Sequence, residues 1–115
     1  MSEMARPRAY VLIDVDVHDA AQYAKYLPLG DIAAAANGAK FLARGGQVVP
    51  LEGGWQPRRV AVLEFADVDA ARRWYDSPEY RKAREARAGA ATFRAVIVEG
   101  IPPDWRQPVR PAAVK

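Results

Sequence analysis

The sequence predicts an α+β domain in which one strand–helix–strand unit is used twice, in the order βαββαβ. Three observations point to it. Asp19-Ala20-Ala21 recurs fifty residues further on as Asp69-Ala70-Ala71, and Pro28 and Arg44 recur as Pro78 and Arg94. The apolar run at 10–17, carrying Asp14, has its counterpart at 60–65, carrying Glu64. Each run alternates as a strand does and is followed by a segment that a cap residue marks as helical.

Residues 10–17 put Val11, Ile13, Val15 and Val17 on one face and Tyr10, Leu12, Asp14 and Asp16 on the other, the period-two signature of a strand. Asp19 then caps a helix over 20–36, with Tyr23, Leu27 and Ile32 expected to face the core. Pro28 is expected to kink or restart that helix, and Asn37-Gly38 to end it in a left-handed turn. A short strand follows at 39–44. Gly45-Gly46 suggests a bulge or bend before an extended run at 47–51, and residues 53–57 a turn. The third strand, 59–65, sets Ala61, Leu63 and Phe65 against Val60, Val62 and Glu64. Asp67 or Asp69 starts the second helix, and Ser77-Pro78 reads as a fresh cap continuing to about residue 88. Residues 93–99 form the fourth strand. The whole is a ferredoxin-like arrangement, a four-stranded antiparallel sheet with both helices on one face.

Both sheet faces are apolar. Leu12, Leu42, Val60, Val62, Val96 and Val98 lie opposite the helices, where a lone domain would leave them in water. A two-fold homodimer formed through the sheets is therefore expected. The domain spans 8–100, with an N-terminal extension at 1–7 and a Pro-rich tail at 101–115. Trp105 is expected to anchor the tail to the body, with disorder beyond it.

Composition narrows the function classes. At 115 residues with half of them hydrophobic and 27% charged, the chain is one ordinary globular domain. Without cysteine, disulfides, thiolate catalysis and the usual structural zinc sites are excluded. No apolar stretch reaches the ~20 residues of a membrane span, and Met1-Ser2-Glu3-Met4-Ala5-Arg6-Pro7 has no apolar core, so a cytoplasmic protein is the default. The net charge of +3 and pI near 9.4 come from arginines spread along the chain. The densest set, Arg81, Lys82, Arg84 and Arg87, reads as a solvated helix face rather than a nucleic-acid surface. The lone His18 gives no metal site, Gly45-Gly46 and Gly53-Gly54 lack the context of a phosphate loop, and no cofactor is expected.

Asp14, Arg44, Glu64 and Arg94 form the sharpest constellation. Strand alternation projects all four from the face opposite the helices, into the expected dimer interior. One reading is a compensated ion-pair network that sets dimer register. The other is a polar pocket in which Glu64 or Asp14 acts as a base and Arg44 holds an anionic or enolate oxygen. Aromatic residues gather on the helices, and of these Tyr26, Trp74 and Tyr80, with Arg94, are the candidate ligand-binding set.

At Leu42-Ala43-Arg44-Gly45-Gly46, Leu51-Glu52-Gly53-Gly54-Trp55, Glu64-Phe65, Ser77-Pro78-Glu79-Tyr80, Arg87 and Val98-Glu99-Gly100, the chain resembles domain-of-unknown-function family 1330 (DUF1330). That family lies within the dimeric α+β barrel superfamily. The resemblance covers about residues 8–100 and implies a ferredoxin-like subunit dimerised through its sheet. It highlights Arg44, Glu64, Ser77, Tyr80 and Arg87. Relatives in the superfamily include cofactor-free monooxygenases, lactone isomerases, haem enzymes and ligand-sensing domains. The chain lacks the histidine pattern of the haem branch and any helix-turn-helix. Two functions are therefore weighed. One is binding of a small anionic or aromatic metabolite. The other is a cofactor-independent enzyme, monooxygenase- or isomerase-like, working by proton transfer through Glu64 or Asp14 with Arg44.

Overall fold

The computed structural model describes residues 6–105. Its elements are β1 (Ala9–Val17), α1 (Ala20–Ala36), β2 (Lys40–Arg44), β3 (Arg59–Phe65), α2 (Val68–Asp76), α3 (Pro78–Ala86) and β4 (Ala91–Glu99). The four strands make one antiparallel sheet in the order β2-β3-β1-β4, the ferredoxin-like topology.

Alternation decides the faces. Val11, Ile13 and Val15 of β1 and Leu63 and Phe65 of β3 are buried under the helices, with Tyr23, Trp74 and Tyr80 supplying the helix side of the core. On the other face Leu12, Leu42, Val96 and Val98 stand 41–57% exposed in the single chain. An apolar face of this breadth is the feature expected of a sheet that needs a partner.

The helix ends follow their side chains. Asp19 accepts the Gln22 N–H at 3.0 Å and Asp67 the Ala70 N–H at 2.8 Å, each capping its helix. At the far end of α1 the Ala39 N–H returns to the Ala34 carbonyl at 3.0 Å while Gly38 takes φ +71°, the left-handed stop that Asn37-Gly38 predicts. Ser77 divides the second helical segment in two. Its Oγ accepts the Tyr80 N–H at 3.1 Å, donates to the Trp74 carbonyl at 2.7 Å and receives Asn37 Nδ2 at 3.3 Å. Pro78 then occupies the first position of α3.

The ends of the sheet are tied as well. His18 and Asp19 N–H groups donate to the Ala90 carbonyl, which joins the start of α1 to the start of β4. At the opposite end the Gly100 N–H donates to the Arg8 carbonyl at 2.7 Å, and a Cβ at Gly100 would lie 2.9 Å from that oxygen. Only glycine fits so close an approach.

Four expectations are corrected. Pro28 neither kinks nor restarts the helix, because α1 runs unbroken from Ala20 to Ala36. Pro28 and Ala24, whose carbonyl the proline leaves unbonded, are both exposed, so water can satisfy it. Ile32 is 56% exposed rather than in the core. Gly45 does bend the chain, at φ +70°, but the bulge falls earlier, within β2, where Phe41 pairs with Leu63 and Ala43 already with Val62, and residues 47–51 form no strand. Trp105 and Ile101 are 45% and 57% exposed, so neither is buried as an anchor against the body of a single chain. The expectation of disorder after Trp105 lies outside the described residues. The fifty-residue repeat holds for the units rather than for each letter: Asp67, not Asp69, caps α2, and Pro28 is mid-helix where Pro78 begins one.

Candidate functional site

Between the helices and the sheet lies a cavity of about 430 Å³, within the range of small-molecule sites. Its walls follow from the elements described. Tyr23, Tyr26 and Gly30, three and four residues apart, fall on the sheet-facing side of α1. The short joint at Ser77 turns Trp74 of α2 and Tyr80 of α3 to the same space, and Phe93 reaches it from β4. Arg44 and Arg59, both exposed, stand at the solvent end.

The buried end is an aromatic cluster. Trp74 and Tyr80 ring centroids are 4.2 Å apart, and the Tyr26 ring meets Tyr80 and Phe93 edge-on at 6.2 and 6.0 Å. The Tyr26 and Tyr80 hydroxyls share a hydrogen bond of 2.8 Å. Burial, and then the neighbouring Tyr80 phenol, push the Tyr26 hydroxyl far above the ordinary phenol range, so it is a neutral donor at any physiological pH. Burial also raises Tyr23, against the pull of Arg59, Arg87 and Arg44. The Trp74 indole Nε1 is buried and has no acceptor among the described residues.

The solvent end is cationic. Arg44 Nη1 lies 2.7 Å from Asp31 Oδ1 of α1, and its guanidinium sits 4.4 Å from the Phe41 ring centroid. Arg59 lies 5.7 Å over the Tyr23 ring and makes no salt bridge among the described residues. A third arginine, Arg87, backs the aromatic wall at 3.6 Å from the Phe93 centroid and 5.3 Å from that of Tyr26. No carboxylate lines the cavity among the described residues. The arrangement suits a flat, electron-rich molecule with an anionic end.

The expected constellation divides. Asp14 and Arg94 sit opposite each other in the β1–β4 register and pair through Arg94 Nη2 and Asp14 Oδ2, on the face away from the helices. Glu64 is on that face too, but its partner is Arg8, whose Nε lies 3.2 Å from Glu64 Oε2. Both carboxylates are largely covered, at 15% and 18% side-chain exposure, each under an arginine. Arg44 is corrected to the helix side: the extra residue at the bulge sets it opposite Ala61, level with the core face. Tyr26, Trp74 and Tyr80 come together in the cavity; Arg94 does not. It borders instead an open hollow of about 520 Å³ on the bare face, with Leu12, Asp14, Trp55, Val60 and Val96.

Arg59, Phe41 and Phe93 are site residues that the sequence does not single out, while Tyr23, one of the aromatics gathered on the helices, lines the cavity as well as the core. Alternation with Ala61 and Leu63 already places Arg59 on the helix side, so that signal was available. His18 Nε2 lies 2.7 Å from Thr92 Oγ1, and no set of three or more His, Cys, Asp or Glu side chains converges on a metal position among the described residues. Nor is any described helix long and apolar enough to cross a membrane.

Sheet order, helix placement and cavity together define a ferredoxin-like α+β domain. The chain belongs to the DUF1330 family, a domain of unknown function whose model matches residues 8–101. None of the curated proteins matches the sequence. Among solved structures, a protein of unknown function from Rhodopseudomonas palustris is 20% identical, covers 88% of each chain and superposes with a TM-score of 0.69. SnoaB, a cofactor-independent oxygenase from Streptomyces nogalater, is 16% identical over 90% of this chain and 97% of its own, with a TM-score of 0.58. A dimeric ferredoxin-like protein of unknown function from Thermobifida fusca is 17% identical over 86% and 96%, also at 0.58. At these identities the likeness is one of fold.

Proposed function

We propose that the protein is a cytoplasmic homodimer that binds a small aromatic carboxylate in the helix–sheet cavity of each subunit. The observation that carries this reading is the pairing of a buried aromatic cluster with two arginines at the solvent end of one space. A ring stacks among Tyr23, Tyr26 and Phe93 and its carboxylate meets Arg59, with Arg44 drawn from Asp31. Dimerisation through the bare sheet face would cover Leu12, Val96 and Val98 and the Asp14–Arg94 and Glu64–Arg8 pairs, which fits the reading of those charges as register-setting ion pairs. The alternative, proton transfer by Glu64 or Asp14 with Arg44, loses support because within one chain these groups lie on opposite sides of the sheet.

The test is calorimetric titration with 2-naphthoate, against Arg59→Met and Gly30→Leu. A Cβ at Gly30 would already be 3.4 Å from the Tyr26 ring, so a leucine there fills the cavity while improving helix propensity. Saturable binding that Arg59→Met weakens and Gly30→Leu abolishes is expected. Binding untouched by Gly30→Leu would place the ligand elsewhere.

A further inference from the structure

The cavity has hydrogen-bond donors at its inner end and nothing there to receive them. Tyr26 and Tyr80 carry two O–H groups between them, and their mutual bond uses one. Whichever phenol accepts keeps its own hydrogen free, and neither makes another hydrogen bond to a described side chain. Beside them stands Trp74, 3% exposed, its ring 4.2 Å from that of Tyr80 and its Nε1–H enclosed by its neighbours, so the phenol pair is the donor that the wall offers. Buried donors are paired in nearly all native proteins, so the free phenol hydrogen in this wall calls for an acceptor.

The type of acceptor can be narrowed. An anionic group here would be stripped of water away from the arginines at the mouth and would meet neutral donors, a costly exchange, since Arg87 stacks on Phe93 and Tyr26 without lining the cavity. A hydroxyl or amine would bring a further donor to a wall already rich in them. A carbonyl oxygen accepts two hydrogen bonds, carries no charge and brings no donor. The volume fits as well: a cavity of ~150 Å³ holds one benzene ring, and this one is about 430 Å³.

We infer that the ligand is an oxo-substituted aromatic carboxylate, its anionic end at Arg59 and its neutral carbonyl oxygen held inside by the free O–H of the Tyr26–Tyr80 pair. This rests on the cavity being the binding site and adds the identity of the ligand's inner end.

The experiment compares 6-acetyl-2-naphthoate, 2-naphthoate and 2-acetylnaphthalene by calorimetry on the full chain. The acetyl group is expected to tighten naphthoate binding about tenfold, the scale of one or two well-placed hydrogen bonds. Replacing one phenol still leaves one free O–H, so Tyr26→Phe or Tyr80→Phe alone should keep part of that advantage. The double variant Tyr26→Phe/Tyr80→Phe, which removes both partners of the shared bond without changing shape, should erase most of it. The acetyl stretching band in the infrared should shift to lower wavenumber on binding and move back in the double variant. Equal affinity for the two naphthoates, or an acetyl advantage that survives the double variant, overturns the inference and leaves the cavity as a binding site. Failure of either naphthoate to saturate overturns the binding reading itself. 2-Acetylnaphthalene binding as tightly as its carboxylate would overturn the role of Arg59 at the mouth.

Discussion

Replacing Ser77 by alanine tests how the cavity wall is held. The hydroxyl is buried at the joint between α2 and α3, the two helices that carry Trp74 and Tyr80. Loss of the cap costs about 1 kcal/mol in an exposed helix. Here the Tyr80 N–H is also buried, so losing its 3.1 Å bond leaves it unsatisfied and takes the total to roughly 2 kcal/mol. The Trp74 carbonyl adds little, since it keeps the Ser77 N–H at 3.2 Å. For a domain of this size that is a fall in melting temperature of roughly 8–10 °C. The assay is thermal unfolding followed by circular dichroism, with Ser77→Thr as the rescue and all variants at one protein concentration, since dimerisation would couple the melt to it. Threonine keeps the oxygen and should recover most of the loss. A Ser77→Ala melt within about 2 °C of the parent would show that the hydroxyl does not hold the joint.

Charge on the bare sheet face should split the dimer: Leu12→Glu/Val96→Glu is expected to run as a folded monomer in light scattering where the parent runs as a dimer, and a double variant that still dimerises would rule out this face. Acid should expose the cap of α2. Its backbone bond to Ala70 holds the Asp67 carboxyl below the usual value of 3.8, so the stabilisation is present above that pH and is lost as pH falls through the lower folded-state value. Asp67→Asn should therefore flatten that part of the acid limb of a urea-stability profile, and an unchanged limb would assign it to other carboxylates. The reverse holds at high pH for Tyr26, whose raised value favours the neutral phenol: parent stability should decline above about pH 10, where the unfolded chain ionises, and Tyr26→Phe should decline less.

Much of this fold could be read from the chain because its signals are local. Val11, Ile13 and Val15 declare β1 by alternation, and Asp19, Asn37-Gly38 and Ser77-Pro78 mark helix ends through bonds that span only a few residues. Pro28 misled because a proline's effect depends on whether the freed carbonyl can reach water, which is a fact of tertiary placement. The bulge in β2 misled more seriously. Leu42 and Ala43 share one place opposite Val62, nothing in Lys40-Phe41-Leu42-Ala43-Arg44 announces it, and a one-residue offset moves Arg44 across the sheet. The site was therefore half legible. Tyr26, Trp74 and Tyr80 could be grouped from helix spacing, but their meeting with Arg44 and Arg59 depends on long-range register.

The bond between Gly100 and Arg8 means that the polypeptide enters and leaves the domain side by side, at the end of β1 away from Arg59 and the cavity mouth. Residue 100 could be joined to residue 8 through a short linker and the ring opened at the exposed Gly53-Gly54 turn. Such a circular permutant would keep every strand neighbour and both mouth arginines, because the Gly45 N–H to Val60 carbonyl bond holds the ends of the opened loop together. The order in which the elements are synthesised is thus separable from the order in which they pair.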